Sequence, residues 1–120
     1  MAELVALLSK DEGTWPQVSG IIKNGEWESI ILIGNEFAEK FQIPSGKEKD
    51  CIFIEMKSSR LVDLKQELQE KLQGKIKGTE VALSIASGDG KEHMALISAL
   101  LNVPVGVRFT ALTKEGIVTL

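Results

Sequence analysis

The chain has 120 residues, 43% of them hydrophobic and 26% charged, with a formal net charge of −3. That length suits one domain and one core, and the acidic balance argues against a general binder of long nucleic acid, which displaces counterions with a basic face. The single cysteine, Cys51, excludes an intrachain disulfide and a cysteine-based zinc site.

Apolar runs alternate with amphipathic stretches along the whole chain. Leu4 to Leu8 is a short continuous apolar run, as expected of a strand buried on both faces. It breaks at the polar loop Ser9-Lys10-Asp11-Glu12-Gly13-Thr14. Pro16 suits the first turn of a helix carrying Val18, Ile21 and Ile22, which Asn24-Gly25 ends. Ser29 to Gly34 is a second, β-branched strand. Gly34-Asn35 then turns into a short helix through Phe37, Ala38 and Phe41. Pro44 to Asp50 is expected to be the least ordered loop, and Cys51 to Met56 forms a third strand.

The clearest helix spans about Arg60 to Gln73. Leu61, Leu64, Leu68 and Leu72 fall on one face, with Ser59 as a candidate cap and Gly74 as a stop. Val81 to Ala86 is a fourth strand. After the glycine loop, Met94, Ala95, Ile97, Ser98, Leu100 and Leu101 form an apolar helix. Val105, Val107 and Phe109 alternate with polar residues or glycine, and Ile117 to Leu120 returns across the turn Thr113-Lys114-Glu115-Gly116 as an antiparallel hairpin. The order β-α-β-α-β-α-β-α-β-β predicts a Rossmann-like α/β sandwich: a mostly parallel sheet, helices on both faces and a C-terminal antiparallel hairpin, all within one domain over 1–120.

Ligands of such sheets bind beyond the carboxyl ends of the strands, near a topological switch point. The loops there hold Ser9, Lys10, Gly13 and Thr14; Gly34 and Asn35; Lys57 to Arg60; and Ser87-Gly88-Asp89-Gly90-Lys91. Three of these four loops pair a hydroxyl with a cation, a pattern suited to an anion at helix N-termini. In the last loop, Gly88 and Gly90 let backbone amides approach a ligand, Lys91 adds charge, and Ser87 or Asp89 can cap the following helix. A P-loop is excluded because Glu92 follows Lys91, and a dinucleotide fingerprint is excluded because His93 stands where its third glycine belongs. His93, the only histidine, is a candidate acid or base beside Lys91. Trp15 could stack on a base or cover the core edge, whereas Trp27 is expected to be structural. Nothing in the spacing of acids and His93 points to a metal, and no cofactor is expected.

The run Leu83-Ser84-Ile85-Ala86-Ser87-Gly88-Asp89-Gly90-Lys91-Glu92-His93-Met94-Ala95-Leu96, with Ser9, Gly13 and Thr14 in the first loop, resembles the CARF domains, the Rossmann-like sensors of CRISPR defence systems. Where that family usually has Gly-Thr before the lysine, this chain has Asp89-Gly90, which replaces a hydroxyl with a carboxylate. The resemblance implies a stand-alone homodimer binding a cyclic oligoadenylate through Lys91 and the two loops.

Three functions are therefore expected in competition. The first is a sensor of an anionic nucleotide, and the second a ring nuclease cleaving it with help from Lys91 and His93. The third is an interaction protein that has kept the fold and lost the site; Asp89 favours it, and a negative potential at the loop edge would sink both ligand readings. The N-terminus lacks the basic start and cleavage site of a secretory peptide, and no apolar stretch nears the roughly 20 residues of a membrane span, so a cytoplasmic protein without a membrane partner is expected.

Overall fold

The computed structural model of the chain describes residues 2–120. Its elements are β1 (Ala2–Leu8), α1 (Trp15–Asn24), β2 (Trp27–Gly34), β3 (Cys51–Glu55), α2 (Leu61–Leu72), β4 (Glu80–Ser84), α3 (Gly90–Asn102), β5 (Gly106–Thr113) and β6 (Gly116–Thr119). The strands form one six-stranded sheet in the order β3-β2-β1-β4-β5-β6, parallel except for the β5–β6 hairpin. The protein is thus a Rossmann-like α/β sandwich.

β1 lies at the centre, and its run Leu4 to Leu8 is wholly buried, as a strand covered on both faces must be. Side chains alternate between two cores. Val5, Leu7, Ile31 and Ile33 meet α2 and α3 on one face. Leu4, Ala6, Leu8, Ile30 and Leu32 meet α1 on the other. The chain moves outward from β1 to β2 in one direction and from β4 to β5 in the other. Right-handed crossovers then require α1 and α3 on opposite faces, as observed. The leucine stripe of α2 is core: Leu64, Leu68 and Leu72 are buried, and each contributes about 1.5–3 kcal/mol by leaving water. Leu61, the first of the four, stays exposed at the helix start.

Four details differ from the sequence expectation. The segment after β2 is a 3-10 turn over Glu36–Lys40, not an α-helix. Its run before Pro44 is too short to repay helix nucleation, and the residue before proline avoids the helical region. The loop from Pro44 to Asp50 carries more local structure than expected: a 3-10 turn at Glu48–Asp50, and a bond from Lys47 Nζ to Gly25 O at 3.3 Å. Ser59 does not cap α2, because Arg60 is the cap residue and makes no side-chain bond. β4 ends at Ser84, two residues early, because Ile85 and Ala86 have already left the sheet. Gly20 also has a use the sequence did not show: a Cβ there would strike Leu112 of β5, so the glycine lets the hairpin close on α1.

Candidate functional site

β1 and β4 are neighbours whose following connections run in opposite directions, so the switch point lies between their carboxyl ends. A cleft of about 720 Å³ opens there and extends over the ends of β2 and β3. That volume falls within the range of small-molecule sites.

The floor of the switch point is a hydroxyl clasp. Ser87 is fully buried; its Oγ accepts from Ser9 N–H at 2.7 Å and lies 3.0 Å from Ser9 Oγ and 2.7 Å from Thr14 Oγ1, donating its single proton to one of the two hydroxyls at a time. Thr14 Oγ1 donates in turn to Asp11 O at 2.7 Å. These bonds sew the β4 loop to the β1 loop and leave neither Ser87 nor Thr14 facing the cleft. Both were expected as ligand contacts; here they lie outside the cleft lining and bond within the clasp. Gly88 follows at φ +103°, and a Cβ there would collide with Leu7, so only glycine lets this loop lie on the core.

Asp89 caps α3. Its carboxylate accepts from Glu92 N–H at 2.8 Å, and Glu92 Oε1 accepts from Asp89 N–H at 2.9 Å, a reciprocal capping box. Both acids line the cleft. The N-terminus of α3, expected to receive an anion, is therefore partly filled by the protein's own carboxylates. Lys91 Nζ donates to Ser59 O and ties α3 to the loop after β3. His93 Nε2 donates to Ser87 O at 2.9 Å, which holds the ring behind the loop and outside the cleft lining. Gly13, Gly34 and Gly90 also lie outside the lining. Gly34 is instead a packing glycine, where a Cβ would come within 2.5 Å of Ala38 Cβ.

Of the expected ligand contacts, Ser9, Lys10, Asn35, Gly88, Asp89 and Lys91 do line the cleft. Asn35 Oδ1 accepts from Phe37 N–H at 3.0 Å and so starts the 3-10 turn. That turn presents a residue the sequence reading had assigned to a helix: the Phe37 ring is 43% exposed at the cleft wall. Lys10 Nζ lies 5.4 Å from its centroid and Lys40 Nζ 5.9 Å. Trp15, weighed as a stacking platform, is buried instead; its Nε1 donates to Ser9 O at 2.9 Å and its ring meets Phe41 edge-on. Trp27 is structural, donating from Nε1 to Ile21 O at 2.8 Å.

The far wall is set by Glu67 on α2, a residue that nothing in the sequence singles out. Its carboxylate accepts from Lys57 N–H and Ser58 N–H and from Lys71 Nζ at 2.7 Å. Burial pushes this carboxyl up, but the bonds from Lys71, Ser58 and Lys57 outweigh it and hold the pKa at about 2. The loop after β3 is thereby fixed with Lys57 and Ser58 at the cleft.

Lys10, Lys57 and Lys91 bring three positive charges to the lining. Asp11, Asp89 and Glu92 are each bonded to backbone N–H groups of their own loops, while Glu36 and Glu55 carry no such bond. Five carboxylates against three ammonium groups give the lining a formal charge of 3 − 5 = −2. Cations and acceptors are thus interspersed beside an aromatic face.

Among the described residues, no group of three or more metal-ligating side chains converges, and no helix is long and apolar enough to cross a membrane. Neither the protein-family models nor the curated proteins contain a match to this sequence.

Proposed function

We propose that this domain binds a small anionic nucleotide in the switch-point cleft, one phosphorylated group per site. The observation that carries this reading is the half-exposed Phe37 ring at the cleft wall, with Lys10 Nζ 5.4 Å and Lys40 Nζ 5.9 Å from its centroid, either of which a base can displace from the ring face. A base can stack on such a ring while an ammonium group meets its phosphate. Glu36 and Glu55, which have no capping duty, can accept from ribose hydroxyls or an exocyclic amine. The formal charge of −2 on the lining counts against both ligand readings and favours the degenerate-site one; the nucleotide reading stands on the Phe37 ring and on Lys10, Lys57 and Lys91, for a ligand with few phosphates. The cyclic oligoadenylate implied by the CARF resemblance would draw further cations from a second copy. His93 is engaged with Ser87 O outside the lining, so the ring-nuclease reading loses the acid or base it looked to in that residue.

A thermal melt with AMP, ATP, cyclic tetra-adenylate and cyclic hexa-adenylate tests this. A ligand at a hundred times its dissociation constant stabilises the native state by about 2.7 kcal/mol. For a domain of this length that raises Tm by on the order of 10 °C. A shift with AMP that Phe37→Ala removes supports the nucleotide reading. A shift confined to a cyclic compound makes the protein a CARF-type sensor. No shift with any of the four overturns the proposal and leaves the degenerate-site reading.

A further inference from the structure

We propose that the free edge of β3 is an interface for a second copy of this chain, paired antiparallel about a two-fold axis through Phe53. The proposal stands independently of the ligand reading.

β3 ends the sheet on one side. Main-chain groups alternate in direction along a strand, and Met56 N–H donates to Gly34 O across the β2–β3 pair at 2.7 Å. Ile52, Ile54 and Met56 therefore point their peptide groups at β2, while Cys51, Phe53 and Glu55 point theirs out of the sheet. Two of these outward groups are already bonded within the chain: Cys51 N–H to Glu48 O, and Glu55 O to Lys71 Nζ at 2.8 Å. Phe53 N–H, Phe53 C=O, Glu55 N–H and Cys51 C=O have no partner among the described residues.

Those four groups are self-complementary in a single register. With Phe53 opposite the partner's Phe53, the two residues exchange both main-chain bonds. Glu55 N–H then meets the partner's Cys51 C=O, and the symmetry repeats that bond. The remaining position, Cys51 N–H opposite the partner's Glu55 C=O, joins the two groups that are already occupied. A slip of two residues either way sets a free group against an occupied one, and a slip of one residue brings opposite faces together. The side chains agree with this register. Ile52 and Phe53 are each 40% exposed; Phe53 meets the partner's Phe53 on the α1 face, and Ile52 meets the partner's Ile54 on the α2 face. Cys51–Glu55 contains no proline, lysine or bulge, the devices that usually blunt an edge. An antiparallel pair points its two clefts to opposite ends, so each protomer binds its own ligand.

Sedimentation equilibrium of the full chain over a concentration series tests the interface. The expected result is a reversible dimer with a Kd of about 1–100 μM, as suits an interface smaller than the usual ~1,600 Å². Phe53→Lys should make it monomeric. Phe53→Pro should do the same with an unchanged circular dichroism spectrum, since it removes only an outward N–H. In a Cys51→Ser background, Phe53→Cys should form an interchain disulfide on mild oxidation, whereas Lys114→Cys on the opposite edge should not. A wild-type chain that stays monomeric throughout the series, or a dimer that survives both Phe53 variants, overturns the proposal.

Discussion

Replacing Glu67 with Gln tests whether one carboxylate sets the wall of the cleft. In the wild type it gathers Lys57 N–H, Ser58 N–H and Lys71 Nζ, and its pKa is held at about 2 against an ordinary value of 4.5. A depression of that size corresponds to roughly 3 kcal/mol at full strength. Lys71 is 38% exposed, however, so screening reduces the net contribution to about 1–2 kcal/mol. The folded-state pKa lies below the unfolded one, so this stability is present above pH 4.5 and is lost as pH falls through the folded value near 2. Glu67→Gln should therefore lower Tm by about 5–10 °C at pH 7. The gap from wild type should narrow steadily below pH 4.5 and nearly close by pH 2. Melts of both proteins across that range provide the assay. A gap of constant size between pH 7 and pH 2 would refute the electrostatic account and leave only a packing role for this side chain.

Two further outcomes follow from the same geometry. Gly88→Ala places a methyl group against Leu7 at φ +103°, and strain plus overpacking should cost about 2–4 kcal/mol; a fall in Tm of only a degree or two would show that the loop can move away from the core. The Cys51 thiol is pushed up by burial and then by Asp50 and Glu48, so at neutral pH it should react with a disulfide reagent more slowly than a free thiol. Labelling at the rate of a small-molecule thiol would contradict that environment.

The sheet was legible because its cues are local and strong. Leu4 to Leu8 announces a doubly buried strand, the α2 leucines announce a core stripe, and the alternation from Val105 to Phe109 announces the hairpin. The cleft lies where the fold class places such openings, and six of the eleven expected loop contacts line it. What could not be read was which polar groups the protein uses on itself. Ser87 and Thr14 look like ligand hydroxyls until their distance across the switch point is known, because that contact joins residues 73 positions apart. Asp89 looks hostile to an anion until its carboxylate is seen folded onto Glu92 N–H. Phe37 and Glu67 were missed for a related reason: one depends on a 3-10 turn, the other on a loop lying against an exposed helix face. A recognisable signal did exist for the first, in Asn35 two residues before an aromatic, which is the pattern of an Asx turn.

The division between clasp and cleft can be tested by two substitutions with opposite signatures. Ser87→Ala removes the acceptor of Ser9 N–H and a partner of Thr14 in a fully buried place, leaving a donor unsatisfied at a cost of about 1–3 kcal/mol. Phe37→Ala removes a ring that is already 43% exposed, so the loss of stability should be about 1 kcal/mol, roughly half that of a fully buried aromatic. If the clasp is structural and the ring receives the ligand, Ser87→Ala should lower Tm yet keep the Kd for AMP within about threefold of wild type at a temperature where both are folded. Phe37→Ala should lower Tm by only a few degrees and weaken binding at least about tenfold, since stacking on an aromatic side chain contributes roughly 1–3 kcal/mol per base. Titration calorimetry below the melting range separates the two effects. The reverse result, with Ser87→Ala abolishing binding and Phe37→Ala leaving it untouched, would move the ligand from the mouth of the cleft to its floor. The hydroxyls of Ser9, Thr14 and Ser87 would then have to exchange their mutual bonds for bonds to a phosphate when the ligand enters.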